Sequence, residues 1–240
     1  KILSIFGSSK KTYGSPRIQK SLEASGEKVG KDKVAQLMRE EGLSAKKKKA
    51  FRPKTTINNP SDKKSPRVFK VKETTVTGPN QVWVSDLTYL ATGSGFSYLV
   101  TVMDLFNREI KGGDVSDSME AVNTKNALLE ALRATPGPLN GLVFHSDQGV
   151  QYCASEFREK IDLLKITQSM SRKGNCYDNA FAESFFGTMK NELEYNYFEN
   201  LDEAKREIFK YINWYNRERI HSSLGYVSPV EYRLKTCLAA

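Results

Sequence analysis

Three acidic residues stand at positions where they could hold a metal ion. Asp86 ends an apolar run that begins at Val82, and Asp147 ends another that begins at Leu142. A carboxylate at the end of a buried strand is costly unless it is paired or bound to a cation, so two such positions need an explanation. A third candidate, Glu183, lies near the start of an aromatic-rich segment that is typical of a packed helix. Metal ligation by the three carboxylates is the explanation we favour.

The ion that suits such a site is Mg²⁺, because it prefers hard oxygen ligands and keeps several waters. Two Mg²⁺ ions held by three carboxylates would bridge a scissile phosphate between its attacking and leaving oxygens. The residues therefore predict hydrolysis or transesterification of a phosphodiester, with two Mg²⁺ ions as cofactors and Mn²⁺ as a substitute. Taken singly, each acid also has a plainer interpretation, since strand-end aspartates are commonly turn residues and helix glutamates are commonly solvated.

Two further acids are not expected to be metal ligands. Asp104 lies at the end of another predicted strand, and Asp178 stands just ahead of the helix that carries Glu183. The position of Asp178 favours a helix N-cap, in which the side-chain oxygen accepts a hydrogen bond from the first helical turn.

The elements that must position these acids have the alternation of an α/β domain. Apolar periodicity and turn residues predict strands at 81–90, 96–104, 108–115, 142–147 and 165–169, and helices at 119–134, 155–164 and 179–195. Three antiparallel strands followed by helix, strand and helix indicate an RNase-H-like order. We therefore predict an α/β core over residues 76–235, with a mixed five-stranded sheet, flanking helices and C-terminal helices.

A smaller helical segment is predicted over residues 1–45. Ile18 and Leu22 share one helical face, as do Val34 and Met38 in the next helix. Two helices joined by a glycine-bearing turn favour a helix-turn-helix that binds DNA, and a plain helical hairpin with solvated lysines is an equally good interpretation of the pattern. The candidate DNA contacts on the second helix are Lys31, Lys33 and Arg39.

Residues 46–75 form a predicted basic linker. The segment combines like charges with Pro and Asn, so it cannot offset the entropy of ordering with a core of its own. We expect it to lie along DNA, and a solvated tether is the alternative. Its candidate phosphate contacts are Lys46, Lys47, Lys48, Lys49 and Arg52.

Charge points to a polyanionic partner, since 37 Lys and Arg oppose 28 Asp and Glu for a net charge of +9. Such an excess favours nucleic acid through steering and counterion release, although an ordinary basic surface fits the charge alone equally well. Cys153, Cys176 and Cys237 form no CxxC pair, which indicates neither a disulfide framework nor a zinc site and fits a reducing cytoplasm. No apolar run approaches the roughly 20 residues of a membrane span. The first residue is not Met, so we expect the numbering to begin inside a longer product.

Thirty-five residues separate Asp147 from Glu183. With this spacing, the chain resembles the bacterial insertion-sequence transposases of the insertion sequence 3 family, whose pattern is Asp, Asp and Glu with 35 residues between the last two. The blocks that carry the resemblance are Tyr13-Gly14-Ser15-Pro16-Arg17-Ile18, Trp83-Val84-Ser85-Asp86-Leu87-Thr88-Tyr89, His145-Ser146-Asp147-Gln148-Gly149-Val150-Gln151-Tyr152, Asn175-Cys176-Tyr177-Asp178-Asn179-Ala180 running into Glu183-Ser184-Phe185-Phe186, and Trp214-Tyr215-Asn216 with Arg219, His221, Leu224-Gly225-Tyr226 and Ser228-Pro229.

The resemblance implies an integrase core, shared with retroviral integrases, in which Asp86, Asp147 and Glu183 are the catalytic metal ligands. It further implies that Lys190, two helical turns after Glu183 and on the same face, contacts the DNA end. An exposed helix lysine is the plainer alternative. Gly187 stands where retroviral integrases carry a second DNA-binding lysine, so that contact is not carried over.

Further candidate DNA contacts lie before and after the predicted catalytic helix. Arg172 and Lys173 lie in a glycine-bearing loop before it and are predicted to contact phosphate. Further along the chain, the spacing of Tyr211, Trp214 and Tyr215 favours a core stripe over a base-stacking platform. Arg217, Arg219 and His221 just beyond them are interpreted either as contacts to backbone phosphate or as a cap of the helix end.

We therefore expect a DNA transposase that cleaves and joins DNA at the ends of a bacterial insertion sequence. The resemblance implies terminal inverted repeats and target DNA as partners, a homo-oligomer in a synaptic complex, and a circular intermediate formed by joining one end to the other. Two alternatives remain open: an RNase-H-like nuclease that only hydrolyses, and a non-catalytic DNA-binding repressor.

Overall fold

The computed structural model describes residues 1–46, 75–137, 139–171, 180–193 and 197–238. Several predicted residues lie outside these ranges: Lys47, Lys48, Lys49, Arg52, Arg172, Lys173, Asp178. The chain forms two compact units. Residues 1–51, 187–195 and 213–240 make up the helical unit, and residues 52–186 and 196–212 make up the sheet unit.

The sheet unit is built on a mixed sheet. Its strands are β1 (Val82–Thr92), β2 (Gly95–Asp104), β3 (Ile110–Ser116), β4 (Val143–Ser146), β5 (Thr167–Met170) and β6 (Tyr197–Phe198). The strand order is β3-β2-β1-β4-β5. β1, β2 and β3 form an antiparallel meander, whereas β4 lies parallel to β1 and β5 parallel to β4. β6 pairs in parallel with the far end of β1.

Helices connect and flank these strands. In chain order they are α1 (Ile2–Ser8), α2 (Ser15–Ala24), α3 (Lys31–Glu40), α4 (Ala121–Arg133), α5 (Val150–Cys153), α6 (Ser155–Leu163), α7 (Ala180–Glu192), α8 (Leu201–Arg217) and α9 (Pro229–Leu238). Both α7 and α8 contribute residues to each of the two units. None of the helices in the described ranges is long and apolar enough to cross a membrane.

One face of the sheet carries an apolar core. Trp83 and Phe144 are paired across β1 and β4, and both are fully buried with Tyr152 and Phe157 from α5 and α6. The helix α4 approaches β3 directly at Gly112, where an added Cβ would lie 2.2 Å from the Ala127 carbonyl oxygen. Only a residue without a side chain fits at that distance, so Gly112 sets the close packing of helix on strand.

The helical unit has a second core, formed by Phe6, Tyr13, Ile18, Leu22, Val34 and Met38. Gly26 and Gly42 follow α2 and α3 with φ of 84° and 66°, the left-handed conformation that commonly ends a helix. Ile220 from the C-terminal part of the chain packs against this core, and its backbone N–H donates to the Tyr13 hydroxyl at 2.7 Å.

The predicted fold class, a mixed sheet with flanking helices preceded by a small helical segment, is confirmed. The aromatic stripe of Tyr211, Trp214 and Tyr215 is buried, as its spacing predicts. Three elements were not predicted: α1, the four-residue helix α5, and the two-residue strand β6, which adds a sixth strand to the expected five. All three are too short to show a hydrophobic period.

Candidate active site

Neighbouring parallel strands bring the two aspartates together. β1 and β4 are paired up to Val84 and His145. Asp86 lies two residues beyond Val84, and Asp147 lies two residues beyond His145, immediately after β4. Neighbouring parallel strands lie about 4.8 Å apart, and every second side chain of a strand lies on the same face of the sheet. Because Asp86 and Asp147 each lie two residues beyond a member of the pair Val84–His145, the two acids lie side by side on one face.

Asp86 is partly buried, and its pKa is raised well above the usual value. Removal of the carboxyl group from water is the largest cause, followed by the negative charge of Asp147 and then that of Glu183. The backbone N–H of Leu87 donates to Asp86 Oδ1 at 2.8 Å, which opposes the rise. Asp147 and Glu183 therefore lie close enough to Asp86 for their charges to raise its pKa.

Asp147 is the more exposed of the two aspartates. Loss of solvent around its carboxyl group raises its pKa, and a hydrogen bond of 2.9 Å from the Gly149 N–H to Oδ1 lowers it. That hydrogen bond fixes the turn that follows β4.

A group of hydroxyl and imidazole hydrogen bonds holds the ends of β4 and β5 next to Asp147. The ring of His145 is fully buried, with Nδ1 3.1 Å from the Ser169 hydroxyl and Nε2 3.1 Å from the Ser171 hydroxyl. Gln148 Nε2 donates to the Ser171 carbonyl oxygen at 3.0 Å. These bonds make the strand ends around Asp147 a defined platform.

Glu183 lies in the first turn of α7, and its side chain is exposed. Partial removal from water raises its pKa. The same turn and the next carry the buried residues Ala182, Phe185 and Phe186, and Phe185 also contacts Tyr211 of α8, with ring centroids 6.4 Å apart. The packed side of α7 thus anchors the helix while Glu183 stays on its open side.

The donor set suits a hard divalent cation, since it consists of three carboxylates whose pKa values are all raised. Within the described ranges, no basic side chain forms an ion pair with any of the three. Over the same residues, no three acidic, His or Cys side chains are arranged as a ready metal site.

Tyr152 adds a group that was not predicted from sequence. It is fully buried beneath the aspartates, and its hydroxyl lies 2.8 Å from the Ser85 hydroxyl. Burial raises its pKa well above the usual value, and the charges of Asp147 and Asp86 raise it further. It stays a neutral phenol that supports the strand carrying Asp86. Its sequence signal was only its place five residues after Asp147.

The carboxylate of Asp104, which was not expected to be a metal ligand, accepts backbone hydrogen bonds. It is fully buried at the end of β2, where Oδ2 accepts a hydrogen bond from the Asn80 N–H at 2.7 Å and Oδ1 accepts one from the Phe106 N–H at 2.9 Å. Oδ1 therefore serves the turn between β2 and β3, and Oδ2 ties the end of β2 to the segment before β1.

The predicted DNA contacts in the described ranges have different environments. Lys190 lies on α7 seven residues after Glu183 and is partly buried, which lowers its pKa. Lys31, Lys33 and Arg39 are exposed on α3. Lys46 Nζ donates to the Leu193 carbonyl oxygen at 3.3 Å. A DNA contact by any of these residues stays a prediction.

Arg219 is buried, so its interpretation as a phosphate contact is wrong. Its Nη2 and Nε lie 2.6 and 2.7 Å from the two carboxylate oxygens of Glu192, and both side chains are at most 5% exposed. The guanidinium also contacts the His221 ring and faces Tyr215.

Family models match along the chain. An HTH-like domain matches residues 1–51, and two integrase core domain models match residues 76–176 and 164–229. The 31 kDa protein of insertion element IS600 from Shigella sonnei is 44% identical over 94% of this chain and 83% of its own. The transposase for insertion sequence element IS904 from Lactococcus lactis is 38% identical to this chain, over 97% of this chain and 91% of its own length. Transposase InsF for insertion sequence IS3A from Escherichia coli is 36% identical to this chain, over 98% of this chain and 81% of its own length.

Solved structures support the fold. The HTLV-2 integrase catalytic core domain in complex with magnesium is similar with a TM-score of 0.50, 18% identity, and coverage of 65% of this chain and 97% of that one. A chain of the simian T-cell lymphotropic virus intasome in complex with PP2A regulatory subunit B56 gamma is similar with a TM-score of 0.55 and 16% identity. The similarity covers 73% of this chain and 60% of that one.

Fold and sequence together define an RNase-H-like integrase core with an HTH-like domain before it. Within that class, the relatives above are encoded by insertion sequences. The chain belongs to the insertion sequence 3 family of transposases, which confirms the resemblance stated from its motifs.

Proposed function

We propose that this protein is a metal-dependent transposase that cleaves and joins DNA strands at the ends of an insertion sequence. The observation that carries the proposal is the common register of β1 and β4, which sets Asp86 beside Asp147 within the electrostatic reach of Glu183. Carboxylates gathered in this way match the ligand preference of Mg²⁺ or Mn²⁺. The names of the relatives, transposases of IS904 and IS3A, supply the substrate class.

In this proposal, Asp86, Asp147 and Glu183 hold two Mg²⁺ ions. Bound there, the ions would supply Lewis-acid activation of a water or a DNA 3′-hydroxyl as the nucleophile and stabilisation of the leaving oxygen. The protein's own residues hold the ligands in place: Tyr152 supports β1 from below, and the Gly149 N–H fixes the Asp147 carboxylate.

DNA binding is assigned to three segments. Residues 1–45 form the helix-turn-helix segment, 46–75 the basic linker, and 76–235 the catalytic core with C-terminal helices. Lys31, Lys33 and Arg39 are exposed on α3 and fit phosphate contacts. The proposed contacts in the other segments are Lys46, Lys47, Lys48, Lys49, Arg52, Arg172, Lys173 and Lys190. Terminal inverted repeats, target DNA and a second copy of the chain are the proposed partners.

The test is a strand-transfer assay with labelled duplexes that carry the element ends. With Mg²⁺ or Mn²⁺, the wild-type protein is expected to give cut ends and joined products. Asp86→Asn, Asp147→Asn and Glu183→Gln should each reduce both products to background, because each loses a charged ligand. All three should still bind DNA in EDTA, and their stability without metal should be equal or slightly higher, since repulsion among the carboxylates falls.

The same assay separates the alternatives. A nuclease gives cut ends without joined products, and a repressor binds DNA without either. Asp104→Asn is the control for loss of a buried carboxylate of the same sheet whose oxygens accept backbone hydrogen bonds, and it should keep both products apart from losses traceable to the shape of the turn after β2. Near-normal strand transfer by Glu183→Gln would exclude it as the third ligand.

A further inference from the structure

We propose that Arg108 is a positioning residue for Glu183 and acts through Phe181. The guanidinium carbon of Arg108 lies 3.6 Å from the centroid of the Phe181 ring. Phe181 belongs to the first turn of α7, two residues before Glu183. The inference rests on the proposed function, because it concerns how one of the proposed metal ligands is held.

The turn that presents Arg108 has a fixed shape. Arg108 adopts φ of 63°, a left-handed conformation that is uncommon for a residue with a side chain. Its N–H donates to the Asp104 carbonyl oxygen, while the Asp104 N–H donates to the carbonyl oxygen of Glu109, both at 2.9 Å. The buried Asp104 carboxylate accepts two further backbone hydrogen bonds. The hydrogen bonds of the turn hold Arg108 in this strained backbone conformation.

Buried polar side chains brace the same turn. Asn107 is fully buried, and its Nδ2 donates to Glu109 Oε2 at 2.9 Å. Lys111 Nζ lies 3.7 Å from the same oxygen, and both charged side chains are at most 10% exposed. The pairing of β2 with β3 shifts by one residue between Val102 and Met103, which makes room for this arrangement. These hydrogen bonds and the buried ion pair fix the backbone of the turn that carries Arg108.

Arg108 contacts the first turn of α7, the turn that carries Glu183. The first four N–H groups of a helix have no intrahelical partner, so the first turn is the least constrained. Ala182, Phe185 and Phe186 pack the following residues into the protein. Stacking on Phe181 extends that anchoring to the start of the helix, where Glu183 projects. A planar guanidinium suits this role better than an ammonium, because it stacks on an aromatic face.

The consequence concerns metal binding. A ligand that is less well positioned must be ordered when the ion binds, so the affinity for the ion falls even though the ligand is unchanged. Loss of a group that orients a metal ligand typically costs about 10- to 100-fold in metal affinity or activity. Arg108→Ala is therefore expected to need about 10-fold more Mg²⁺ or Mn²⁺ for half-maximal strand transfer. Its DNA affinity in EDTA should equal that of the wild type.

The experiment compares Arg108→Ala, Arg108→Lys, Phe181→Leu and the double variant Arg108→Ala/Phe181→Leu. Each is titrated with Mn²⁺ in two assays: strand transfer, and the metal-induced shift in melting temperature. The second assay reads ligand binding without activity. Arg108→Lys should recover part of the loss. The double variant should be no worse than the worse single variant, because both changes remove the same contact. Arg133→Ala, an exposed arginine on α4, is the control.

Three results would overturn the inference: an unchanged Mn²⁺ requirement in Arg108→Ala, additive losses in the double variant, or a melting-temperature shift equal to that of the wild type. If Arg108→Ala does not fold, Phe181→Leu and Phe181→Tyr decide, since Tyr keeps the ring and should behave as wild type. A wild-type protein that shows neither strand transfer nor a metal-induced shift would instead contradict the proposed function. Failure of the positioning role of Arg108 is therefore distinguishable from failure of the proposed function.

Discussion

Among the individual residues, Asp104 shows how a buried carboxylate can serve the fold instead of chemistry. Asp104→Asn keeps one acceptor oxygen but turns an amide donor toward a backbone N–H. We expect a loss of about 1–3 kcal/mol in the free energy of unfolding, because a buried donor is left without an acceptor. Urea unfolding measures this loss, and strand transfer by the folded variant should remain substantial. A variant as stable as the wild type would show that these two hydrogen bonds contribute little.

The pH dependence of that difference has a definite sign. Burial raises the pKa of Asp104 above 3.8, so the folded protein holds this proton more tightly than the unfolded chain does. The resulting stabilisation is fully present below the unfolded pKa and is lost as the pH rises through the folded pKa. The gap in unfolding free energy between wild type and Asp104→Asn should therefore widen as the pH falls through the folded pKa toward 3.8.

The buried pair of Arg219 and Glu192 makes a second prediction for individual residues. Arg219→Ala leaves the Glu192 carboxylate buried without its two donors and is expected to cost about 3–5 kcal/mol of stability. The double variant Arg219→Met/Glu192→Leu should be closer to wild type, because it removes both charges while filling the space. Thermal unfolding of the two variants and the wild type checks this. If the double variant were as unstable as Arg219→Ala, lost packing rather than a stranded charge would explain the effect.

Among the elements, two adjacent glycines of β3 allow a matched comparison. A Cβ at Gly112 would lie 2.2 Å from the Ala127 carbonyl oxygen and 2.5 Å from the Ala131 nitrogen, so Gly112→Ala must push α4 away from β3. We expect a loss of about 1–3 kcal/mol or more from this overpacking. At Gly113 the nearest atom to a Cβ is 3.4 Å away, and Gly113→Ala should cost less than about 1 kcal/mol. Equal losses in urea unfolding would contradict the close approach of helix and strand.

The elements also show which features could be predicted from sequence. The runs leading to Asp86 and Asp147 were identifiable because a short apolar strand followed by an acid is a local pattern. The seven residues of α1 and the two of β6 lack the length for a period to emerge. The contacts of Arg108 with Phe181 and of Tyr13 with Ile220 join residues far apart in the chain, so neither leaves a local signal. What escaped prediction is therefore tertiary pairing rather than the choice of acids.

For the molecule as a whole, the helical unit depends on the C-terminal part of the chain. Ile220 packs on its core and donates to Tyr13, and Arg219 pairs with Glu192. Removal of all residues after Glu218 is expected to lower amide hydrogen-exchange protection in α2 and α3 about tenfold or more, while the amides of β1 and β2 keep theirs. Removal from Cys237 onward is the control, because Cys237 and Leu238 are exposed. Unchanged protection in the longer deletion would mean that α1 to α3 fold without this support.

The pairing of Glu192 with Arg219 also has a consequence for how the sequence can change over evolutionary time. If either residue is replaced first, the intermediate protein has a buried charge without its partner. Most proteins are only marginally stable and cannot tolerate a loss of that size. Substitutions at the two positions should therefore arise together or not at all. In an alignment of related transposases, positions 192 and 219 are expected to co-vary, with acid opposite base or apolar opposite apolar and few mixed combinations.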